Sequence, residues 1–303
     1  METEAILAVL YFILSSSFGI YFNAFIAVVS YRTWLHDGSH HPQGLLLFSI
    51  GFSSLIFQGL QIFFYISYYF WTEAFALFSV CMLFFRCLLT FCVFFSLCQT
   101  SWLCSFYCIK LVSFQHWIIQ VLKSRLPIIL PWIMAGTLVI TTMGVVLLLC
   151  LTFVSVPLDY TGNSTFCRSI NESYIPYIEN IFDGFNILIA LPFTLIMVSL
   201  SCTVSTLVQH VQRVQGSLML DKSHLEAHID AAKTMIVLLA LNTSFYVSLV
   251  LILWDVVTYP WSWICIVLFC SFWPLQALTL IFRTKKLHRS FIWCLQKRGS
   301  EIV

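Results

Sequence analysis

The densest run of chemically able side chains is His36-Asp37-Gly38-Ser39-His40-His41. Three imidazoles and a carboxylate are suitable donors for zinc or a related ion. A tight metal site also needs ligands preset by rigid elements and oriented by their own hydrogen-bond partners. This run lies in a short connection beside Gly38 and Pro42, so a solvated loop is expected and no metal site. Cys104 and Cys108 share a helix face at i, i+4, which suits a buried structural face. None of the twelve cysteines forms a C-x-x-C pair, so structural zinc is not indicated. No G-x-x-x-x-G-K-[ST] or H-E-x-x-H occurs, and the connections between apolar runs are too short to house an active site. Neither an enzyme nor a cofactor is expected.

The elements that carry these residues follow from composition. Of 303 residues, 60% are hydrophobic and 9% charged, against about 25% charged in a soluble domain. The chain is therefore expected to be a membrane protein solvated by the lipid bilayer, with no nucleic-acid partner. A hydrocarbon core of about 30 Å needs roughly 20 apolar residues as helix. Spans are expected at about 6–31, 44–69, 79–109, 127–151, 181–208, 231–254 and 261–282, with an outer loop over 155–180 and a tail helix over 284–298. The N-terminus turns apolar at once and has no basic leader, so the first span is expected to stay. The fold class expected is an all-α seven-transmembrane helix bundle forming one domain, 1–303.

Thirteen Lys and Arg residues fall in one set of connections and only Arg168 in the other, with Arg86 unassigned. The basic set marks the cytoplasmic side. The N-terminus is then extracellular and the C-terminus cytoplasmic, in the plasma membrane. The outer loop carries two N-x-[ST] acceptors, at Asn163 and Asn171. The tail alternates basic and apolar residues, with Leu287, Phe291 and Leu295 at helical spacing, as in a helix lying on an anionic inner leaflet. Cys294 there is open to palmitoylation or to staying a free thiol. Ion and substrate pathways normally need ionisable groups in mid-membrane. Arg86 is the only candidate, and it lies about 36 Å of helix from Lys110, near the outer rim. A proton-coupled carrier is thereby disfavoured.

Seven spans, an outer N-terminus and a basic tail helix describe a G-protein-coupled receptor, and specific motifs narrow the class. Leu191-Pro192-Phe193-Thr194-Leu195-Ile196, followed by Ser199, Ser205 and His210, resembles span five of the type 2 (bitter) taste receptors. Asn23-Ala24-Phe25-Ile26-Ala27 is similar to the family's N-G-F-I-A. Phe106-Tyr107-Cys108-Ile109-Lys110 with Phe114 resembles the F-Y-x-x-K-I-A-N-F end of span three. Tyr160 to Thr165 sits where the family has its glycosylated outer loop, and Ala227 to Thr234 resembles the H-I-x-A-x-x-T start of span six. Two segments depart from the pattern. Phe48-Ser49-Ile50-Gly51-Phe52 stands for L-A-x-S-R without the arginine, and Gln276-Ala277-Leu278-Thr279-Leu280-Ile281 stands for H-[SP]-x-I-L-I. The chain thus resembles a divergent member. A type 1 vomeronasal-like receptor shares the architecture but is not expected to carry the P-F-T-L-I run.

The resemblance implies a receptor for small bitter ligands that activates a heterotrimeric G protein of the gustducin-like, inhibitory type. A homo- or hetero-oligomer is compatible with it. Pockets in bundles lie between helices, mostly apolar with a few polar anchors. The outer halves offer Gln61 and Tyr65 on span two, and Arg86, Leu89, Thr90, Val93 and Phe94 on span three. They also offer Asp183 and Asn186 on span five, Asn242, Phe245 and Tyr246 on span six, and Ile266 on span seven. Leu89 takes the position where many relatives have tryptophan. Pro192 frees a backbone carbonyl one turn earlier, which fits either a fixed bend or a moving helix. Tyr107, Lys110, His210 and His228 sit at helix ends matching family motifs and are the expected switch residues facing the G protein. Cys167 is open to a disulfide with Cys81 or Cys87, a bridge the family mostly lacks.

Overall fold

The computed structural model describes residues 2–37, 42–70, 75–111, 117–154, 192–199, 201–205, 222–253 and 261–300. All are helical apart from a bend at Thr284. The helices are α1 (Glu2–Asp37), α2 (Pro42–Phe70), α3 (Phe75–Leu111) and α4 (Trp117–Val154). They continue with α5 (Pro192–Ser205), α6 (Lys222–Leu253), α7 (Trp261–Arg283) and α8 (Lys285–Ser300). Such apolar runs fold as helices because hydrocarbon offers no partner to an unpaired backbone N–H or C=O. Among the described residues, six helices (α1 to α4, α6 and α7) contain a stretch long and apolar enough to cross a membrane. Ile128, Trp132, Ile140 and Met143 of α4 are each at least two-thirds exposed, as suits a surface solvated by lipid.

Apolar burial gives little drive between helices already in lipid, so close packing and interhelical hydrogen bonds must hold the bundle. α1 packs on α2 and α7, α3 on α2 and α4, and α6 on α7. The α1–α2 contact depends on Gly51, where a Cβ would meet the Asn23 carbonyl oxygen at 3.0 Å and the Ala27 nitrogen at 3.1 Å. One turn-pair further along, the Gln58 amide lies directly over Gly19, in the space a side chain there would fill.

The interior is layered. One apolar cluster joins Ile26, Leu46, Ile50, Leu103, Leu126, Met235, Leu280 and Leu287. A second joins Phe57, Val93, Phe94, Leu97, Phe245, Phe272 and Trp273. Each helix that contributes to both clusters has a buried polar residue between its two contributions: Ser53 and Ser54 on α2, Gln99 to Ser101 on α3, Asn242 on α6, and Gln276 on α7. Hydrogen bonds run through this layer. Ser53 and Ser96 share a proton over 2.7 Å, and Gln276 Nε2 donates to Thr100 Oγ1 over 2.7 Å. Ser101 Oγ donates to the Pro192 carbonyl over 2.8 Å, and Ser105 and Ser199 meet at 3.0 Å. These last two bonds fix α5 to α3.

The first cluster marks the basic end of the bundle. Its members adjoin Arg32, Arg125, Lys233 and Arg283 at helix ends, all among the described residues. The backbone ladder continues through the bend, with Thr284 N donating to Leu280 O at 3.0 Å and His288 N to Thr284 O at 2.9 Å. α8 therefore turns back against the bundle. Leu287 is fully buried in the first cluster and Phe291 packs against Phe25 with ring centroids 5.4 Å apart. Trp293 and Leu295 stay exposed. The apolar face expected to meet lipid is thus divided: Leu287 and Phe291 of its first two turns seal the bundle, and Trp293 and Leu295 beyond them face outward.

Candidate functional site

Three features could receive a signal or pass it on: a crevice, the polar layer, and the basic end. The crevice lies between α3, α5 and α6, with a volume of about 10 Å³, room for one water-sized group, and is lined by Leu97, Pro192, Phe193, Ile196, Asn242 and Tyr246. Phe193 and Tyr246 stack across it at 5.8 Å, nearly parallel at 15°. The Asn242 amide nitrogen donates to the Leu238 carbonyl over 2.6 Å. An amide nitrogen is a donor and a carbonyl oxygen only an acceptor, so this bond fixes the amide orientation. The amide oxygen is buried, with no hydrogen-bond partner among the described residues.

Of the residues offered for ligand binding, Asn242 and Tyr246 line this crevice, and so does Pro192 from the switch set. Val93 and Phe94 are buried within the second cluster, with Leu89 packed against it. Phe245 has no exposed surface. It packs on Phe272 at 4.4 Å and on Phe269 at 5.2 Å, so it is part of the cluster wall rather than the crevice lining. Gln61 and Thr90 are half-buried, and Ile266 is on the exposed side of α7. Tyr65, Arg86, Cys81, Lys110 and His228 sit on helices, with side chains outside the described residues. Asp183, Asn186, His210, Asn163, Asn171 and Cys167 lie outside the described residues, as does the loop half of the histidine run from Gly38 to His41. Cys87 is a free, buried thiol. Among the described residues, no cluster of His, Cys, Asp or Glu could hold a metal.

At the basic end, Gln43 Nε2 of α2 donates to the Tyr107 hydroxyl of α3 over 3.0 Å. Thr284 at the α7–α8 bend lies beside the same hydroxyl. One phenol thus ties α2 to α3 beside the α7–α8 bend, at the face opposite the second cluster. Leu97, Phe193 and Ile196 were not singled out from the sequence, because their apolar types match every neighbour. Gln276 and Thr100 were also passed over as a pair, although a glutamine within an apolar span was a usable signal.

A sequence profile of the family described as "Taste receptor protein (TAS2R)" matches residues 1–299. Taste receptor type 2 member 41 of Mus musculus is 27% identical over 282 residues, covering 89% of each chain. The protein of that name in Gorilla gorilla gorilla is 27% identical over 320 residues, covering 94% of this chain and 93% of its own. Taste receptor type 2 member 16 of Pan troglodytes is 23% identical over 249 residues, covering 80% and 81%. A match over nearly the whole chain, on an all-helical bundle with membrane-length spans, means that the chain belongs to the type 2 (bitter) taste receptor family: it is a multi-pass, seven-helix G-protein-coupled receptor for small molecules, not an enzyme.

Proposed function

We propose that this chain forms a single receptor domain in the plasma membrane, with the N-terminus outside and the basic end facing the cytoplasm. Bitter small molecules enter the outer half of the bundle and bind among α2, α3, α5, α6 and α7. The outer-half residues Gln61, Tyr65, Arg86, Leu89, Thr90, Val93, Phe94, Asp183, Asn186 and Tyr246 are the contact set, with Phe245 and Ile266 shaping the surrounding wall. Pro192 transmits ligand binding to the inner end of span five, where His210 and His228 meet the G protein beside Tyr107 and Lys110. The G protein is of the gustducin-like, inhibitory type. Asn163 and Asn171 carry glycans on the outer loop, and Cys167 of that loop pairs with Cys81 or Cys87.

The observation that carries this reading is the layered interior. An aromatic outer cluster and an inner apolar cluster are separated by a neutral polar layer. Among the described residues, no Asp, Glu, Lys or Arg sits at that level. A carrier would need charged or ion-coordinating groups there. A receptor needs only two packed layers that can shift against each other across a set of exchangeable hydrogen bonds. The test is a calcium-release screen of a bitter-compound library in cells expressing this chain with a gustducin-tailed G-protein chimera. Agonist-dependent release is expected. Substrate uptake without any G-protein requirement would refute the receptor reading.

A further inference from the structure

We propose that Ser15 of α1 stands in for the backbone donor that Pro274 lacks, and that α1 thereby sets the bend of α7 where the outer aromatic cluster meets the polar layer. Ser15 is then a positioning residue for signalling. That consequence, but not the brace itself, rests on the receptor reading above.

Pro274 lies inside α7. A regular helix would close the Cys270 carbonyl with the N–H of residue 274, and proline has none. Its ring also crowds that carbonyl and bends the helix. In lipid a freed carbonyl needs a partner from a neighbouring helix or from water. Ser15 supplies it, donating its hydroxyl proton to the Cys270 oxygen over 2.7 Å. Ser15 is 7% exposed and Cys270 8%, so water has little access to the bond. The pairing is selective. A serine within a helix commonly turns its proton back to the carbonyl one turn before it, as Ser17 does toward Ile13 over 2.7 Å. Ser15 has one proton and directs it across to α7. A second α1 hydroxyl adjoins the same stretch, since Tyr11 meets the Ser271 hydroxyl beside the Val267 carbonyl.

The bend sits at a boundary. Trp273, just before the proline, packs in the outer cluster against Phe57 at 4.4 Å. Gln276, just after it, donates to Thr100 in the polar layer. The pose of α7 about Pro274 therefore sets the angle between these two contacts. In the braced pose the basic end is packed shut, with Leu103, Met235, Leu238 and Ile281 fully buried in the first cluster. A G protein finds no opening there, so the bond holds the resting pose.

The test is a double-variant cycle on the purified full-length chain, read by reversible SDS unfolding in mixed micelles. Ser15→Ala strands the carbonyl and should raise the unfolding equilibrium constant about three- to tenfold. Pro274→Ala returns an N–H to residue 274, so adding Ser15→Ala to it should change the constant less than about twofold. Ser17→Ala, which removes only a bond within α1, should also stay within about twofold of wild type. An equal cost of Ser15→Ala with and without Pro274→Ala would overturn the brace, as would a cost no larger than that of Ser17→Ala. In cells carrying the gustducin-tailed chimera, Ser15→Ala should raise the agonist-independent calcium signal about threefold at equal surface expression. Adding Ser15→Ala to Pro274→Ala should raise it no further. An unchanged basal signal in a chain that still responds to library compounds would overturn the positioning role. A chain that responds to no compound fails the receptor reading instead, and the unfolding cycle still decides the brace.

Discussion

Thr100→Val should destabilise the bundle more than Gln276→Leu, although both delete the same hydrogen bond. The two residues are 0% and 1% exposed, and the bond spans 2.7 Å. Thr100 sends its own proton to the Ser96 carbonyl over 2.9 Å. Removing Gln276 therefore leaves a hydroxyl whose donor stays engaged and whose spare lone pair alone is unused. Removing the Thr100 hydroxyl leaves the buried amide nitrogen of Gln276 without the acceptor it uses. Loss of one interhelical bond inside a membrane averages about 0.6 kcal/mol, whereas a stranded buried donor costs about 1–3 kcal/mol. The expected costs are therefore about 0.6 kcal/mol for Gln276→Leu and about 1–3 kcal/mol for Thr100→Val. The double variant should lie near the Gln276→Leu value, because no amide remains to be stranded. Reversible SDS unfolding of the purified receptor in mixed micelles, followed by tryptophan fluorescence, measures all three. Equal costs for the two single variants, or costs that add in the double, would refute the reasoning.

Three further predictions concern packing, the basic end and topology. Gly51→Ala should cost about 1–3 kcal/mol by overpacking, because the added methyl meets backbone atoms of α1 at 3.0 and 3.1 Å. Gly59→Ala, with nothing within 4 Å, should be neutral or slightly stabilising in the same unfolding assay. Tyr107→Phe removes the hydroxyl that accepts from Gln43 beside the α7–α8 bend. If that bond favours the resting floor by about 1 kcal/mol, ligand-independent G-protein activation should rise about fivefold at equal surface expression; an unchanged basal signal would count against a latch. Asn163→Gln combined with Asn171→Gln should abolish the glycosidase-sensitive shift of the receptor on gels, and persistence of that shift would contradict the assigned outer loop.

The sequence alone determined the class, the helices and the family. Lipid leaves a chain so poor in charge few choices: each long apolar run must close its own backbone hydrogen bonds as helix. The clustering of cations at one set of ends was equally legible, because it depends only on where the spans begin and stop. Leu191 to Ile196 and Phe106 to Lys110 carried the resemblance through residue identity, with no need of a rotation angle. What the sequence left open was the rotation of each helix about its axis. A helix that is apolar all round has no stripe to say which face is inward. Phe245 and Ile266 were both reasonable pocket residues on that basis, yet packing buries the first in an aromatic cluster and leaves the second on an exposed side. Leu287 looked lipid-facing until the bend at Thr284 turned it into the bundle. The polar layer is likewise a tertiary product: serines, threonines and glutamines scattered over four helices become one level only when the helices are set side by side. The small crevice lined by Leu97, Phe193 and Tyr246 exists for the same reason, since neither α5 nor α6 encloses any space until α3 is packed against them.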